Sequence, residues 1–140
     1  MSKNVIFIGA AVVLVIVIAG VYFFNLGSSD LSNAEPDYHL TATELYSEFS
    51  SNETRASDTY IDKVIDVTGT VLAKETLKDN IVNISLDSGN PFGSVICTFS
   101  GNPEDVLSNI EIGDSLTIRG ICSGMLMDVL MNNCVLVKSR

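Results

Sequence analysis

Three cysteines, Cys97, Cys122 and Cys134, and one histidine, His39, are the residues of this 140-residue chain best suited to chemistry. Thiolates and imidazoles hold zinc or attack carbonyl carbon, and each task demands a particular spacing. A structural zinc site needs four ligands, usually including closely spaced cysteine pairs. No C-x-x-C occurs, and His39 stands far from all three thiols. Ser-His-Asp or Cys-His catalysis needs a histidine within the fold, whereas His39 lies in a polar region ahead of it. No phosphate-cradling glycine loop is present. The carboxylates Glu104 and Asp105 follow Asn102 and Pro103, so they read as the first turn of a short helix with Asn102 as N-cap and Pro103 at N1. These features predict a non-enzymatic protein without cofactor or metal. His39 reads as a solvated residue.

The elements that position these residues begin with an anchor. Val5 to Phe24 reads VIFIGAAVVLVIVIAGVYFF, without a charge. A helix of about 20 residues, rising about 1.5 Å each, spans a hydrocarbon core of about 30 Å. In lipid, such a segment satisfies its backbone only as a helix. A cleaved leader has a shorter apolar core, about 7–15 residues, closed by a small-residue site. Ser32-Asn33-Ala34 is the nearest such triplet and lies well downstream. The run therefore predicts an uncleaved, single-pass transmembrane helix over residues 5–24, with Tyr22, Phe23 and Phe24 in the interfacial aromatic belt. No cysteine near its end offers a site for lipid modification. Lys3 precedes the run, and Asp30, Glu35 and Asp37 follow it. The positive-inside rule places residues 1–4 in the cytoplasm and the C-terminal domain in the periplasm or cell exterior. Residues 25–38, rich in Gly, Ser and Pro, read as a flexible linker, leaving 39–140 as one small domain.

The chain has 8 basic and 17 acidic residues, a formal net charge of −9. Phosphate backbones are bound by clustered Lys and Arg, but here the basic residues are scattered among carboxylates. Nucleic acid is thus a disfavoured partner.

Thr41-Ala42-Thr43-Glu44 fits a capping box. Leu45, Phe49, Ala56 and Tyr60 then recur at helical spacing, predicting an amphipathic helix broken near Ser50-Ser51. Asn52 shares that stripe and reads as a buried amide bonded to backbone. The period next changes to two. Ile65, Val67, Val71 and Ala73 form the inward set of a long first strand, with Gly69 marking a bend. Lys78-Asp79-Asn80 turns into a second strand with Val82, Ile84 and Leu86 inward. Asp87-Ser88-Gly89-Asn90-Pro91 turns into a third with Val95, Cys97 and Phe99 inward. The short helix follows, then a fourth strand through Leu116 and Ile118, and a fifth from Val129 to Lys138. Three strands, a helix and two strands give the order of a five-stranded OB barrel. The expected fold is mainly β, with an added N-terminal amphipathic helix and a short helix between strands three and four.

The string Leu45, Phe49, Asn52, Ala56, Tyr60, Lys63, Ile65, Val67, Gly69 and Val71 resembles the opening of the tRNA-anticodon-binding-like ("tRNA_anti-like") OB-fold domains. Cys97-Thr98-Phe99, Gly113-Asp114, Arg119-Gly120-Ile121-Cys122-Ser123-Gly124, Asp128-Val129-Leu130 and Asn133-Cys134 agree, so that the likeness covers roughly residues 41–137. The resemblance implies an OB barrel in a small bacterial protein, often exported or membrane-anchored. It does not imply tRNA binding, because one fold hosts many functions. A haem-chaperone role would require a histidine near the C-terminal end of the barrel, and there is none.

In OB strand order the fifth strand lies between the third and fourth, so Cys134 can meet Cys122 or Cys97. Cys122–Cys134 is the candidate disulfide for an oxidising compartment; the alternative is three buried thiols. OB domains bind ligands on strands two and three and with the loops that flank them. Lys78, Asn83, Ser85 and Thr98, with Met125, Leu126 and Met127 of the last loop, form the candidate ligand face. The methionine-bearing loop reads either as a protein-docking patch or as a plug for the barrel end. Two functions stay open. One is a non-enzymatic, membrane-tethered binding module for a protein or cell-envelope component. The alternative is a nucleic-acid-binding OB domain.

Overall fold

Alternating apolar side chains give a strand one buried face, and a small sheet buries that face best by curling on itself. The computed structural model describes residues 3–26, 31–100 and 104–137. Helix α1 (Lys3–Leu26) is followed by β1 (Tyr38–Thr41), α2 (Ala42–Ser51) and α3 (Glu53–Tyr60). Then come β2 (Val64–Thr76), β3 (Val82–Asp87), β4 (Ser94–Phe99), α4 (Glu104–Asn109), β5 (Ser115–Met125) and β6 (Val129–Val137). The sheet order is β1-β2-β3-β4-β6-β5, and a β2–β5 pairing closes β2 to β6 into a five-stranded barrel. β4 and β6 run parallel, as in the expected OB order.

Strand β2 is 13 residues long and belongs to both halves of the barrel. Val64–Thr70 pairs with β5, while Val71–Thr76 pairs with β3. The register shifts between Val71 and Ala73. That extra residue reverses the inward parity. Ala73, expected inside, is exposed, and Leu72 projects at 48% exposure. The irregularity expected at Gly69 lies instead between Val71 and Ala73, and Gly69 has another reason. A Cβ there would sit 3.0 Å from the Ala42 Cβ and 3.2 Å from the Leu86 Cβ, so the glycine lets α2 approach the barrel.

The capping box is present: Thr41 Oγ1 accepts from Glu44 N at 3.1 Å, and Thr41 N donates to Glu44 Oε2 at 2.9 Å. Leu45 and Phe49 of α2, with Ala56 and Tyr60 of α3, are buried together with Ile65, Val67, Ile84, Ile118 and Met131 of the barrel. Asn52 is exposed rather than buried. Its Oδ1 accepts from Arg55 N at 3.0 Å, capping α3 and separating it from α2. The expected caps Asn102 and Pro103 lie outside the described residues.

Helix α1 is 24 residues long, about 36 Å at helical rise. Phe7, Leu14 and Val17 on it are each more than half exposed. Among the described residues, no helix is long and apolar enough to cross a membrane.

The segment expected as a free linker is docked from Leu31 onward. Leu31–Asn33 forms a 3₁₀ turn with Leu31 buried. Asp37 N donates to Val64 O at 2.7 Å, and Val64 N donates to Asp37 Oδ2 at 3.0 Å. Tyr38–Thr41 then pairs with Ile65–Thr68 as the parallel strand β1. Asp66, in the polar phase of β2, is covered by this segment and is 4% exposed. Arg119 of β5 answers its charge. Nε donates to Asp66 Oδ1 at 2.6 Å and Nη2 to Oδ2 at 2.9 Å, while Nη1 donates to Ala34 O at 2.6 Å. The hydrogen bonds to Asp66 raise the Arg119 pKa, so the guanidinium stays charged. His39 is exposed, with Nδ1 3.5 Å from Asp66 Oδ2.

Removing one partner of such a pair strands the other charge, at a cost of about 3–5 kcal/mol. Arg119→Ala is expected to lower the unfolding free energy by about 3 kcal/mol in urea titration and to speed proteolysis within residues 31–37. Arg119→Lys should recover only part of this, since lysine lacks the planar fork.

Candidate functional site

The connections β3–β4 and β5–β6 meet at one end of the barrel. In the first, Asp87 Oδ1 accepts from Gly89 N at 2.8 Å, and Gly89 takes φ of +72°. Ser88 is 3% exposed; its Oγ donates to Gly93 O at 2.5 Å and accepts from Asn90 N at 3.2 Å. Asn90 Oδ1 accepts from Phe92 N at 2.9 Å. These bonds fix the loop from within and leave the Phe92 ring 81% exposed.

The second connection carries Leu126 and Met127, exposed to 85% and 72%. The two loops are tied together. Asp128 Oδ1 accepts from Ser94 N at 2.7 Å and from Ser94 Oγ at 3.2 Å. Tyr46 Oη of α2 donates to Met127 O at 3.3 Å. Gly93 fits between them because a Cβ there would meet the Tyr46 hydroxyl and lie 2.5 Å from Met127 O. Beside this junction lies a cleft of about 580 Å³, lined among others by Leu72, Asp87, Phe92, Gly93, Ser94 and Asp128. Its walls combine apolar area with two carboxylates, the composition of a recognition surface with fixed polar groups.

The structure divides the expected ligand face. Asn83 and Thr98 are neighbours across β3 and β4, with Thr98 Oγ1 donating to Asn83 Oδ1 at 2.8 Å. Lys78 is exposed in the β2–β3 turn at that end of β3. Ser85 lies midway along β3, paired with Ile96. Leu126 and Met127 lie at the opposite end, beside Phe92. Met125 packs against the core, so it is the one residue of the Met-Leu-Met run that plugs. Sequence reasoning missed Phe92, Leu72, Asp87 and Asp128. Phe92 belongs to no periodic pattern, and the Asp-Ser-Gly-Asn-Pro run before it signals only a turn. Leu72 is turned outward by a bulge that alternation does not reveal.

The cysteines are three buried free thiols. The candidate pair Cys122–Cys134 is not joined. The β5–β6 register sets Cys122 opposite Met131, and the thiol that shares a hydrogen bond with Cys134 is that of Cys97. That hydrogen bond and burial push the Cys97 pKa well up; burial raises that of Cys122, against a smaller opposing effect of a backbone hydrogen bond from Gly124. The Cys134 Sγ also lies 2.6 Å from where a Gly120 Cβ would stand. Among the described residues, no group of three or more His, Cys, Asp or Glu side chains could hold a metal.

The sequence profile of the tRNA_anti-like family matches residues 1–136 of this chain. No curated protein matches it significantly. Among solved structures, a Klebsiella pneumoniae subsp. pneumoniae MGH 78578 protein described as a "putative nucleic acid-binding lipoprotein" superposes with a TM-score of 0.58. The match has 17% identity and covers 71% of this chain and 91% of the other. At that identity the likeness is one of fold.

Two outcomes test this site. Gly93→Ala should cost about 1–3 kcal/mol by overpacking, and Tyr46→Phe in the same chain should restore part of it in a double-mutant cycle. In the reduced protein at pH 8, alkylation of all three thiols should be slow in the fold and fast in denaturant, since burial limits access to each of them.

Proposed function

This chain belongs to the tRNA_anti-like family, and we propose that it is a non-enzymatic, membrane-tethered OB-fold binding module whose ligand is a protein or cell-envelope component. The tether is α1. Its continuous 24-residue helix and outward apolar side chains suit hydrocarbon and not water. The aromatic Tyr22 near its end and the lone Lys3 at its start fit a single pass with the barrel outside the cytoplasm. The observation that carries the binding role is the exposure of Phe92 in the cleft, and of Leu126 and Met127 on the connection that supplies Asp128 to it. A small domain gains by burying such side chains, and their joint exposure on internally bonded loops favours a partner.

The Klebsiella neighbour's description favours a second reading, binding of single-stranded nucleic acid. OB domains do this with stacking aromatics in a basic groove. Here the cleft has Phe92 but is flanked by Asp87 and Asp128. Of the described basic residues, Arg119 is held by Asp66 and Arg55 lies 3.5 Å from Glu48. The charge balance supports the protein reading.

Leu14→Asp places a charge mid-helix at a cost of about 2.5–3.5 kcal/mol on insertion scales. The variant should shift from the membrane to the soluble fraction; unchanged fractionation counts against the tether. Titrating the full chain with single-stranded RNA and DNA at low salt should give no binding. Tight, strongly salt-dependent binding would replace the first reading with the second.

A further inference from the structure

We propose that the cleft between the β3–β4 and β5–β6 connections receives a segment of a partner protein that sets an arginine or lysine beside a bulky apolar side chain. This rests on the tethered-module reading and specifies its ligand. The occupant must match what the cleft offers. Phe92 and Leu72 line it with exposed apolar surface, and Leu126 and Met127 are exposed on the connection that supplies Asp128. Among the residues lining the cleft, Asp87 and Asp128 are charged and no basic residue occurs. Each of these carboxylates accepts its backbone hydrogen bond through Oδ1; Oδ2 takes no part in those bonds. Two anchored carboxylates beside apolar surface complement a cation on an apolar segment, and they repel phosphate.

Charge argues against the host bilayer as occupant: the carboxylates of the cleft disfavour anionic headgroups. The docked segment before β1 contacts Arg119, which pairs with Val135 of β6, whereas the cleft lies beyond Val129 at the other end of that strand, about 20 Å away. The site is also preformed. Ser94 ties the two loops through Asp128, and Tyr46 and Gly93 lock their contact, so little ordering opposes binding.

The test uses the full chain in nanodiscs of neutral phosphatidylcholine, with three synthetic peptides: GLRFKLG, its acidic counterpart GLEFELG and its polar counterpart GSRSKSG. GLRFKLG should bind at least about tenfold more tightly than either, the margin of one charge-assisted hydrogen bond. Asp87→Asn with Asp128→Asn keeps the Oδ1 acceptors and removes the charges; it should abolish the preference over GLEFELG. Phe92→Ser, at an exposed position, should weaken GLRFKLG about tenfold. Equal binding of the three peptides, or a preference that survives both variants, overturns the proposal. A photo-crosslinker placed in turn at Phe92 and Asn83 in intact cells separates the two levels. Protein adducts only from Asn83 leave the tethered module standing and remove this occupant. Nucleic-acid adducts alone remove both.

Discussion

One strand shared by two half-sheets makes this fold possible. β2 must pair with β5 over its first half and with β3 over its second, and no flat strand can do both. The bulge at Leu72 bends it, and with that bend the barrel closes and its interior is shielded from water. Everything else is placed relative to this bend. α2 packs over the barrel where Gly69 admits Ala42. The bulged Leu72 is turned out towards the cleft.

The same strand carries a buried charge pair. Asp66 lies on the outer phase of β2, a place where a carboxylate is ordinarily solvated. The segment before β1 crosses it and removes the water. Arg119 then satisfies both the carboxylate and the Ala34 carbonyl with one planar group, the bidentate geometry that lysine cannot supply. A buried pair of this kind contributes little net stability, while losing either partner is costly. Here it holds the segment before β1 against β5, at Arg119, while the cleft lies beyond Val129 of β6.

The cleft shows the opposite use of polar groups. Asp87, Ser88 and Asn90 bond the backbone of their own loop, and Asp128 bonds Ser94 of the neighbouring one. Loops satisfied in this way hold their shape without packing, and hydrophobic side chains on them can stay in water. The exposure of Phe92, Leu126 and Met127 is therefore a property of rigid turns. It also explains why the Met-Leu-Met run divides: Met125 still belongs to β5 and faces the core, while the next two residues belong to the turn.

Periodicity determined most of the architecture from sequence alone. The capping box at Thr41–Glu44, the inward sets of β3, β4 and β5, the turn at Lys78–Asn80 and the strand order all depend on local rules that recur every two or three to four residues, and these the chain states openly. Tertiary structure decided what local rules do not encode. A one-residue bulge moved Ala73 outward, a returning segment buried Asp66, Asn52 became a cap instead of a core amide, and Cys97 rather than Cys122 took Cys134 as neighbour. The cleft is of this second kind, since Phe92 and Asp128 lie far apart in the chain and meet only when the barrel closes. Contacts between distant residues depend on how strands bend and cross, and no short stretch of sequence carries that information.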